Sequence, residues 1–302
     1  MKQIWSGFLL IILLIGCQSA SNKQENMDLS SIDIQGHRGA RGLLPENSIR
    51  GFLHAVDLGV NTLEMDLCVT KDKQIVVSHE PFFSSEICLD ENRSMISEEE
   101  AKMLNIYEMN YEEVLQYDCG SLMHPRFPSQ GKVKVVKPLL NDVFRRIEQY
   151  TRLNNLPQQN YNIELKSLEE NDNLYQPEPA EFSDLVYDLI DQNSGIAWDR
   201  ITIQSFDFRI LQYFRKQYPN VRLSQLIENE LTWQENVETL GFKPEVYSCY
   251  YKFLTKEIVE ELHEAGIKVI PWTINEVEEM KELITWGVDG IITDYPDRVK
   301  EL

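Results

Sequence analysis

Seven ionisable side chains stand at or just after the ends of β-rich segments, where they can meet in one site. They are two histidines, two basic residues and three carboxylates: His37, His79, Arg38, Lys166, Glu64, Asp66 and Glu164. Histidine titrates near neutral pH, so a histidine pair can take a proton from a nucleophile and give one to a leaving group. A carboxylate-bound cation and the two bases can hold phosphate oxygens. Together these residue types favour cleavage of a phosphodiester.

The carboxylates have the spacing of a cation site. Glu64 and Asp66 are two residues apart in a predicted strand, so their side chains face the same side. Such a pair repels unless one group is protonated or a cation bridges them, and Glu164, at the end of a later strand, can add a third oxygen. Without a Cys or His cluster, oxygen ligands predict one divalent cation, Mg²⁺ or Ca²⁺. A solvated or salt-bridged group of acids is the structural alternative.

The other three histidines lack this placement. His54 and His263 lie within helical patterns, and His124 precedes a proline. Each is therefore predicted to be a surface or packing residue, which leaves His37 and His79 as the acid–base pair.

Nine β-rich segments alternate with helical patterns and predict the scaffold. They cover 32–37, 62–67, 75–79, 161–165, 201–205, 221–225, 245–250, 268–273 and 289–293. Only seven residues separate the second segment from the third, too few for a parallel crossover, so the third is predicted to return antiparallel. Eight parallel strands remain, which close a TIM (β/α)8 barrel with its site at the C-terminal strand ends. An open doubly wound sheet is the alternative, but no glycine-rich phosphate loop follows the first strand.

Three helices carry explicit start signals. Asn47 is predicted to cap a helix that Gly59 ends, and Asn275 with Glu278 has capping-box-like spacing before a helix that Gly287 ends. Thr255 is predicted to begin a third helix.

Residues 80–137 interrupt the alternation of strands and helices. This stretch is rich in acids and shows no clear strand–helix unit, so it is predicted to be an insertion over the barrel mouth, within one domain of residues 32–302. Four cysteines, Cys68, Cys88, Cys119 and Cys249, have no zinc-like spacing. Whether they form a disulfide or are small buried side chains is left open.

The N-terminus has the features of an export signal. Lys2 precedes a short apolar run, and Leu14-Ile15-Gly16-Cys17 resembles the bacterial lipobox, in which the cysteine is lipidated. Residues 1–16 are thus predicted to be a lipoprotein signal peptide, Cys17 the lipidation site and residues 17–31 a tether. Gln18 after the cysteine favours the outer membrane and periplasm. Ordinary secretion with a coincidental cysteine is the alternative.

The overall charge limits the partners of the protein. The 302-residue chain has 29 Lys+Arg and 49 Asp+Glu, a formal net charge of −20. This argues against nucleic acid as a partner and against electrostatic docking on anionic lipid. An anionic substrate would therefore need a site where positive charge outweighs this negative charge, and a metal ion can provide it.

Six blocks of this chain resemble motifs of the glycerophosphodiester phosphodiesterases and follow in that family's order. They are His37-Arg38-Gly39 with Pro45-Glu46-Asn47-Ser48, Glu64-Met65-Asp66-Leu67, Val77-Ser78-His79, Ile163-Glu164-Leu165-Lys166, Trp272-Thr273-Ile274-Asn275 and Thr293-Asp294-Tyr295-Pro296. The resemblance runs from about residue 32 to the end. One departure is that the family commonly has His-Asp where this chain has His79-Glu80, so a hydrogen bond that orients His79 can differ.

The resemblance implies a metal-dependent TIM barrel that cleaves glycerophosphodiesters to sn-glycerol 3-phosphate and an alcohol. By matching positions, the implied roles are cation ligands (Glu64, Asp66 and Glu164), an acid–base pair (His37 and His79), phosphate-binding residues (Arg38 and Lys166) and glycerol-packing residues (Trp272 and Phe206). Core packing is the alternative for Trp272. A phospholipase-type phosphodiesterase acting on an intact lipid head group and a non-catalytic binding lipoprotein are the alternative functions. The metal, the alcohol, the nucleophile, the order of the two histidines and the oligomeric state are left open.

Overall fold

Eight parallel strands form a nearly closed barrel, which confirms the predicted TIM architecture. The computed structural model describes residues 29–192 and 195–302. The strands are β1 (Asp33–Gly36), β2 (Thr62–Val69), β3 (Ile75–Val77), β4 (Asn160–Leu165), β5 (Ile201–Ser205), β6 (Arg222–Ile227), β7 (Val246–Cys249), β8 (Lys268–Val269) and β9 (Gly290–Thr293). Their order is β8-β7-β6-β5-β4-β2-β1-β9, and β3 pairs antiparallel with β2, as predicted. Backbone hydrogen bonds from Asp289 to Val269 and from Ile292 to Pro271 join the two ends.

Helices surround the barrel and cover its outer face. They are α1 (Ile49–Leu58), α2 (Glu98–Met103), α3 (Tyr111–Val114), α4 (Leu140–Asn154), α5 (Pro179–Asp191), α6 (Phe208–Gln217), α7 (Trp233–Leu240), α8 (Lys256–Glu264) and α9 (Val277–Trp286). Their apolar faces join outward strand residues in one large core, in which Phe52, Phe144 and Phe214 are fully buried. No helix within the described ranges is long and apolar enough to cross a bilayer.

Two of the three predicted helix starts are wrong by one residue. The N-cap of α1 is Ser48, whose hydroxyl accepts a hydrogen bond from the Gly51 N–H. Asn47 does not cap the helix because its side chain donates a hydrogen bond to the Asp66 carboxylate instead. Similarly α9 begins after Glu276, since the Asn275 side chain bonds to Asp294. Thr255 caps α8 as predicted.

The helix ends agree better with the sequence. Gly59 and Gly287 end α1 and α9 in the left-handed conformation, with φ of 88° and 94°. Glycine adopts this conformation without the steric cost that a side chain would add.

The insertion 80–137 has its own small core. It contains α2 and α3, and its buried residues Phe83, Val114 and Tyr117 pack together. A disulfide joins Cys88 to Cys119, whereas Cys68 and Cys249 are free and buried. The insertion reaches the barrel mouth as predicted, because Arg126 lines the central cleft.

The predicted export features are separate from this fold. The signal peptide 1–16, the lipidation site Cys17 and most of the tether 17–31 lie outside the described residues. The last three residues of the predicted tether lead into β1.

Candidate active site

A cleft of about 940 Å³ opens at the C-terminal ends of the barrel strands. Eight of the nine predicted site residues in the barrel line it: His37, Arg38, Glu64, His79, Glu164, Lys166, Phe206 and Trp272. Asp66, the ninth, is only 1 % exposed and forms an ion pair with Arg38 of the same cluster. The structure thus assembles residues from six different strand ends, as the barrel geometry predicts.

The three carboxylates converge as a potential cation site. Asp66 and Glu164 are register partners in adjacent strands β2 and β4, and Glu64 points inward two residues before Asp66. One oxygen of each lies within 4.8 Å of the others, and all three residues are buried. Oxygen donors at this spacing are the ligand set that Mg²⁺ or Ca²⁺ prefers.

The pKa shifts of the three carboxyl groups indicate that nearby cationic side chains offset their negative charge only in part. Burial, Asp66 and Glu164 raise the pKa of Glu64 well above its usual range. Burial also raises the pKa of Glu164 to about 7, despite the opposing ammonium of Lys166. Asp66 has a lowered pKa because Arg38 and other cations outweigh its burial. Among the residues that the structure describes, the three carboxylates form ion pairs with two cationic groups, Arg38 and Lys166, so the donor set fits a divalent cation.

A set of amides holds the carboxylates in place. Asn47 Nδ2 donates to Asp66 Oδ2 at 2.8 Å, and Gln204 Nε2 donates to Glu64 Oε1 at 3.0 Å. Asn162 Nδ2 in turn donates to Gln204 Oε1 at 3.0 Å. Sequence reasoning missed these contacts, although Asn162 and Gln204 occupy inward positions of predicted strands where apolar residues usually dominate. Polar residues at such positions were the available signal.

His37 is oriented by a buried carboxylate. Its Nδ1 lies 2.6 Å from Asp294 Oδ1, and Asn275 Nδ2 donates to the other oxygen of Asp294 at 2.9 Å. Burial opposes ionisation of Asp294, but His37 and Arg41 outweigh it and hold the pKa of Asp294 at about 2. Burial lowers the pKa of His37 even beside this carboxylate. The ring is therefore fixed in direction, with Nε2 free of the Asp294 contact.

His79 is also held by a carboxylate, that of Glu80. Its Nδ1 lies 2.7 Å from Glu80 Oε1, and its Nε2 lies 3.2 Å from Lys166 Nζ. Burial and Arg38 lower the pKa of His79, which favours the neutral ring. The longer side chain of Glu80 thus still reaches the histidine. This departure from the family motif gives no support to a non-catalytic binding protein.

Arg38 is fixed by an unusual backbone and by several acids. Its φ of 49° is in the left-handed region, uncommon for a residue with a side chain and often found at functional sites. The backbone N–H donates to Glu64 Oε2 at 2.8 Å, while the guanidinium contacts Glu46 and Asp66. Glu46 also pairs with Arg41. Glu46 and Arg41 are functional neighbours to which the sequence assigned no role.

Aromatic side chains form another wall of the cleft. The rings of Phe206 and Trp272 meet edge to face, with centroids 5.6 Å apart. Trp272 Nε1 donates to the Ser248 carbonyl at 3.0 Å, which fixes the indole. Both residues line the cleft, and Trp272 also packs against a small buried cluster of Val246, Ile270 and Ile292.

The barrel, the carboxylate cluster and the two histidines, each held by a carboxylate, define a TIM-barrel hydrolase suited to phosphate esters. The chain belongs to the Glycerophosphoryl diester phosphodiesterase family, whose sequence profile it matches over residues 37–298. It is similar to a glycerophosphodiester phosphodiesterase of Bacillus altitudinis, with 28% identity over 89% of this chain and 97% of the relative. It is accordingly a glycerophosphodiester phosphodiesterase.

Solved structures share this fold. A protein from Silicibacter pomeroyi named as a glycerophosphoryl diester phosphodiesterase shares 29% identity and a TM-score of 0.77, covering 90% of this chain and 95% of its own. A phosphodiesterase from Oleispira antarctica, solved with the product sn-glycerol-3-phosphate, has the same fold at 22% identity and a TM-score of 0.69, covering 89% of this chain and 95% of its own.

Proposed function

We propose that this chain hydrolyses glycerophosphodiesters to sn-glycerol 3-phosphate and an alcohol, using one divalent cation and two histidines. The observation that carries the proposal is one cleft in which two oriented histidines flank three buried carboxylates. The product bound in the Oleispira antarctica relative supports sn-glycerol 3-phosphate as the product here as well.

Glu64, Asp66 and Glu164 would hold the cation, Mg²⁺ or Ca²⁺. When bound, such an ion supplies a positive charge that polarises the phosphoryl oxygens and offsets the negative charge of the transition state. The amides of Asn47 and Gln204 keep two of the three carboxylates aimed at one point. Arg38 and Lys166 stand beside the cluster, where they would bind the remaining phosphate oxygens.

The two histidines would divide the proton transfers. One neutral imidazole takes a proton from the nucleophile as it forms a bond to phosphorus. The nucleophile is water, or the neighbouring glycerol hydroxyl, in which case a cyclic phosphate forms and water then opens it to sn-glycerol 3-phosphate. The negative charge of the bound phosphate would favour protonation of the other imidazole, which gives that proton to the oxygen of the leaving alcohol as the P–O bond breaks. Asp294 and Glu80 hold the Nδ1 atoms, so each Nε2 is the atom that exchanges protons. Trp272 and Phe206 would pack against the glycerol carbons.

The direct test is release of glycerol 3-phosphate from glycerophosphocholine and glycerophosphoethanolamine by the full chain. We expect activity to disappear with chelator and to return with Mg²⁺ or Ca²⁺. His37→Ala, His79→Ala and Glu64→Ala should each lower kcat by a factor of about 100 or more. His54→Ala, a histidine of α1 outside the cleft, is the matched control. Full turnover in the cleft variants would refute the assigned roles.

A second candidate substrate is a lysophospholipid. Relatives named lysophospholipase D from Rattus norvegicus and Homo sapiens are 27% and 28% identical over 88% of this chain. Exposed Leu168, Leu231 and Phe253 lie on the loops that follow β4, β6 and β7, on the same side of the barrel as the cleft. These side chains would offer an acyl chain an apolar surface. Faster choline release from lysophosphatidylcholine than from glycerophosphocholine would favour this substrate, and the reverse order the first.

We also propose that the protein is exported and anchored to a bacterial membrane through a lipid on Cys17, with Gln18 favouring the outer membrane. The lipobox-like Leu14-Ile15-Gly16-Cys17 after a short apolar run supports this proposal. Labelled fatty acid should be incorporated into the full chain but not into a Cys17→Ala variant. Equal labelling of the two, or none in either, would contradict the anchor, and membrane fractionation would identify the bilayer.

A further inference from the structure

Lys137, the last residue of the insertion 80–137, is a buried lysine that the proposed reaction does not use. It is 8 % exposed, and its Nζ donates a hydrogen bond to Ser78 Oγ at 2.6 Å. The same nitrogen lies 5.5 Å from the centre of the Phe83 ring. A buried ammonium is costly unless its contacts offset the lost hydration. Its closest hydrogen-bond partner is the neutral hydroxyl of Ser78. The other contacts of that hydroxyl therefore indicate the role of the lysine.

Ser78 connects the lysine to the segment that carries His79. The Ser78 hydroxyl donates to the backbone carbonyl of Glu80 at 2.6 Å, and the Ser78 N–H donates to the Asp66 carbonyl at 2.9 Å. Ser78 and Glu80 are the two chain neighbours of His79. Their contact therefore closes a turn around the histidine, and the Glu80 side chain then holds His79 Nδ1.

The backbone on either side of the lysine is also fixed. Tyr111 Oη donates to the Lys137 carbonyl at 3.2 Å, and the Val77 N–H donates to the Pro138 carbonyl at 2.8 Å. Lys137 lines a small cavity of about 10 Å³ together with His79. The ammonium is thus a fixed point next to the histidine turn, and not a mobile surface group.

We propose that Lys137 is a positioning residue for His79, an inference that rests on the proposed role of His79 in proton transfer. The ammonium fixes the Ser78 hydroxyl, the hydroxyl fixes the Glu80 carbonyl, and the turn between them sets the direction of the His79 ring. The insertion thereby contributes a side chain that supports the reaction, in addition to its place over the barrel mouth.

The test compares Lys137→Met with wild type in the full chain, because methionine keeps much of the side-chain length and removes the ammonium. We expect kcat for glycerophosphocholine to fall tenfold or more, with KM within twofold because the substrate contacts are intact. Lys73→Met is the matched control: Lys73 also contacts an aromatic ring, that of Tyr107, but it lies outside the cleft in the turn between β2 and β3. An unchanged kcat in a folded Lys137→Met variant would overturn the inference.

Ser78 variants provide an independent test, which remains valid even if the Lys137→Met variant does not fold. Ser78→Ala should lower kcat as Lys137→Met does, while Ser78→Thr, which keeps the hydroxyl, should retain most activity. The double variant should lose no more than the more damaged single variant, since both residues act through one contact. Equal kcat in Ser78→Ala and Ser78→Thr, or additive losses in the double variant, would contradict positioning.

His79→Ala separates this inference from the proposed function. If His79→Ala keeps wild-type turnover, the proposed function itself is wrong. If His79→Ala is inactive while Lys137→Met and Ser78→Ala are fully active, the proposed function stands and only the positioning role is refuted.

Discussion

Asn47 and Ser48 are neighbours in the sequence and serve two different parts of the molecule. The Ser48 hydroxyl caps α1 through the Gly51 N–H. Asn47 has a φ of 51° and sends its amide to Asp66, where it both donates to the carboxylate and accepts from the backbone N–H. A side chain that holds a carboxylate of a cation site affects affinity for the ion more than helix stability.

Single substitutions should separate these two tasks. Asn47→Gly keeps a residue that tolerates the positive φ but removes the amide, so we expect cation affinity to fall about 10- to 100-fold. Ser48→Ala should lower the free energy of unfolding by about 1 kcal/mol through loss of the cap. Cation titration of activity and denaturant unfolding measure the two effects. Unchanged cation affinity in Asn47→Gly would show that Asp66 does not need the amide.

The pair His37–Asp294 makes stability depend on pH in the acid range. The folded pKa of Asp294, about 2, is below its usual 3.8, so its ionised form stabilises the fold above pH about 4 and this stability is lost as pH falls toward 2. The lowered pKa of His37 acts in the same direction, because protonating the buried ring favours the unfolded state. The Asp294 contribution is about 2 kcal/mol.

Asp294→Asn should remove the Asp294 part of this acid dependence. We expect its unfolding free energy to change less than that of wild type between pH 5 and 3, as followed by urea unfolding. The variant should also lower kcat, because Asn offers His37 a weaker partner. An identical pH dependence of stability in the two proteins would show that Asp294 is not a source of it.

At the scale of elements, strands were easier to predict than helix ends. All nine predicted strands exist, because a buried strand shows a run of β-branched and apolar residues that is local in sequence. The predicted strand 268–273 shortens to Lys268–Val269, since Pro271 has no N–H to donate to a ladder. The errors at Asn47 and Asn275 have a common cause: each asparagine matches a local capping pattern but makes a long-range bond in the site.

The insertion depends on a covalent link that the sequence left undecided. The Cys88–Cys119 disulfide spans 31 residues of a segment with only short helices and a small core. Closing a loop of this length in the unfolded chain contributes about 3–4 kcal/mol on the entropic account. The Cys119 N–H also donates to the Val135 carbonyl, two residues before Lys137. Loss of the disulfide should therefore loosen the segment that supports His79.

We expect a Cys88→Ser/Cys119→Ser variant to unfold at a lower temperature and to show lower kcat. Wild type treated with a thiol reductant should approach the behaviour of the variant, and Cys249→Ser, which removes a free buried thiol of β7, controls for loss of a cysteine. Thermal unfolding followed with and without reductant makes the measurement. If reductant shifts the double variant as much as wild type, the effect does not come from this disulfide.

At the scale of the whole molecule, the fold gathers basic side chains of a very acidic chain at one place. The net charge is −20, yet five basic side chains line the cleft beside six acidic ones: Arg38, Arg41, Arg126, Lys166 and Lys252. Arg38 and Lys166 were predictable because they follow strand ends in recognisable motifs. Arg41 comes from the loop after β1 and Arg126 from the insertion, where no local periodicity indicates which side chains turn inward. The sequence therefore predicted the residues that the proposed reaction uses, while the groups that surround them depend on tertiary structure.

The carboxylate cluster predicts how the barrel would respond to the proposed cation. Glu64, Asp66 and Glu164 repel one another across the centre of the C-terminal mouth, so neutralising them should stabilise the whole barrel. Binding to the folded state alone adds about 2.7 kcal/mol at a cation concentration 100 times Kd. For a protein of this size that raises the unfolding temperature by about 4–5 °C.

Glu64→Gln provides the control, because it removes one ligand and part of the repulsion together. We expect chelated Glu64→Gln to unfold at a higher temperature than chelated wild type, and to gain little when Mg²⁺ or Ca²⁺ is added. Wild type should gain with the cation that also restores activity. A cation-dependent shift of equal size in the two proteins would place the ion elsewhere, whereas a shift confined to wild type ties the stability of the barrel to the same carboxylates as its chemistry.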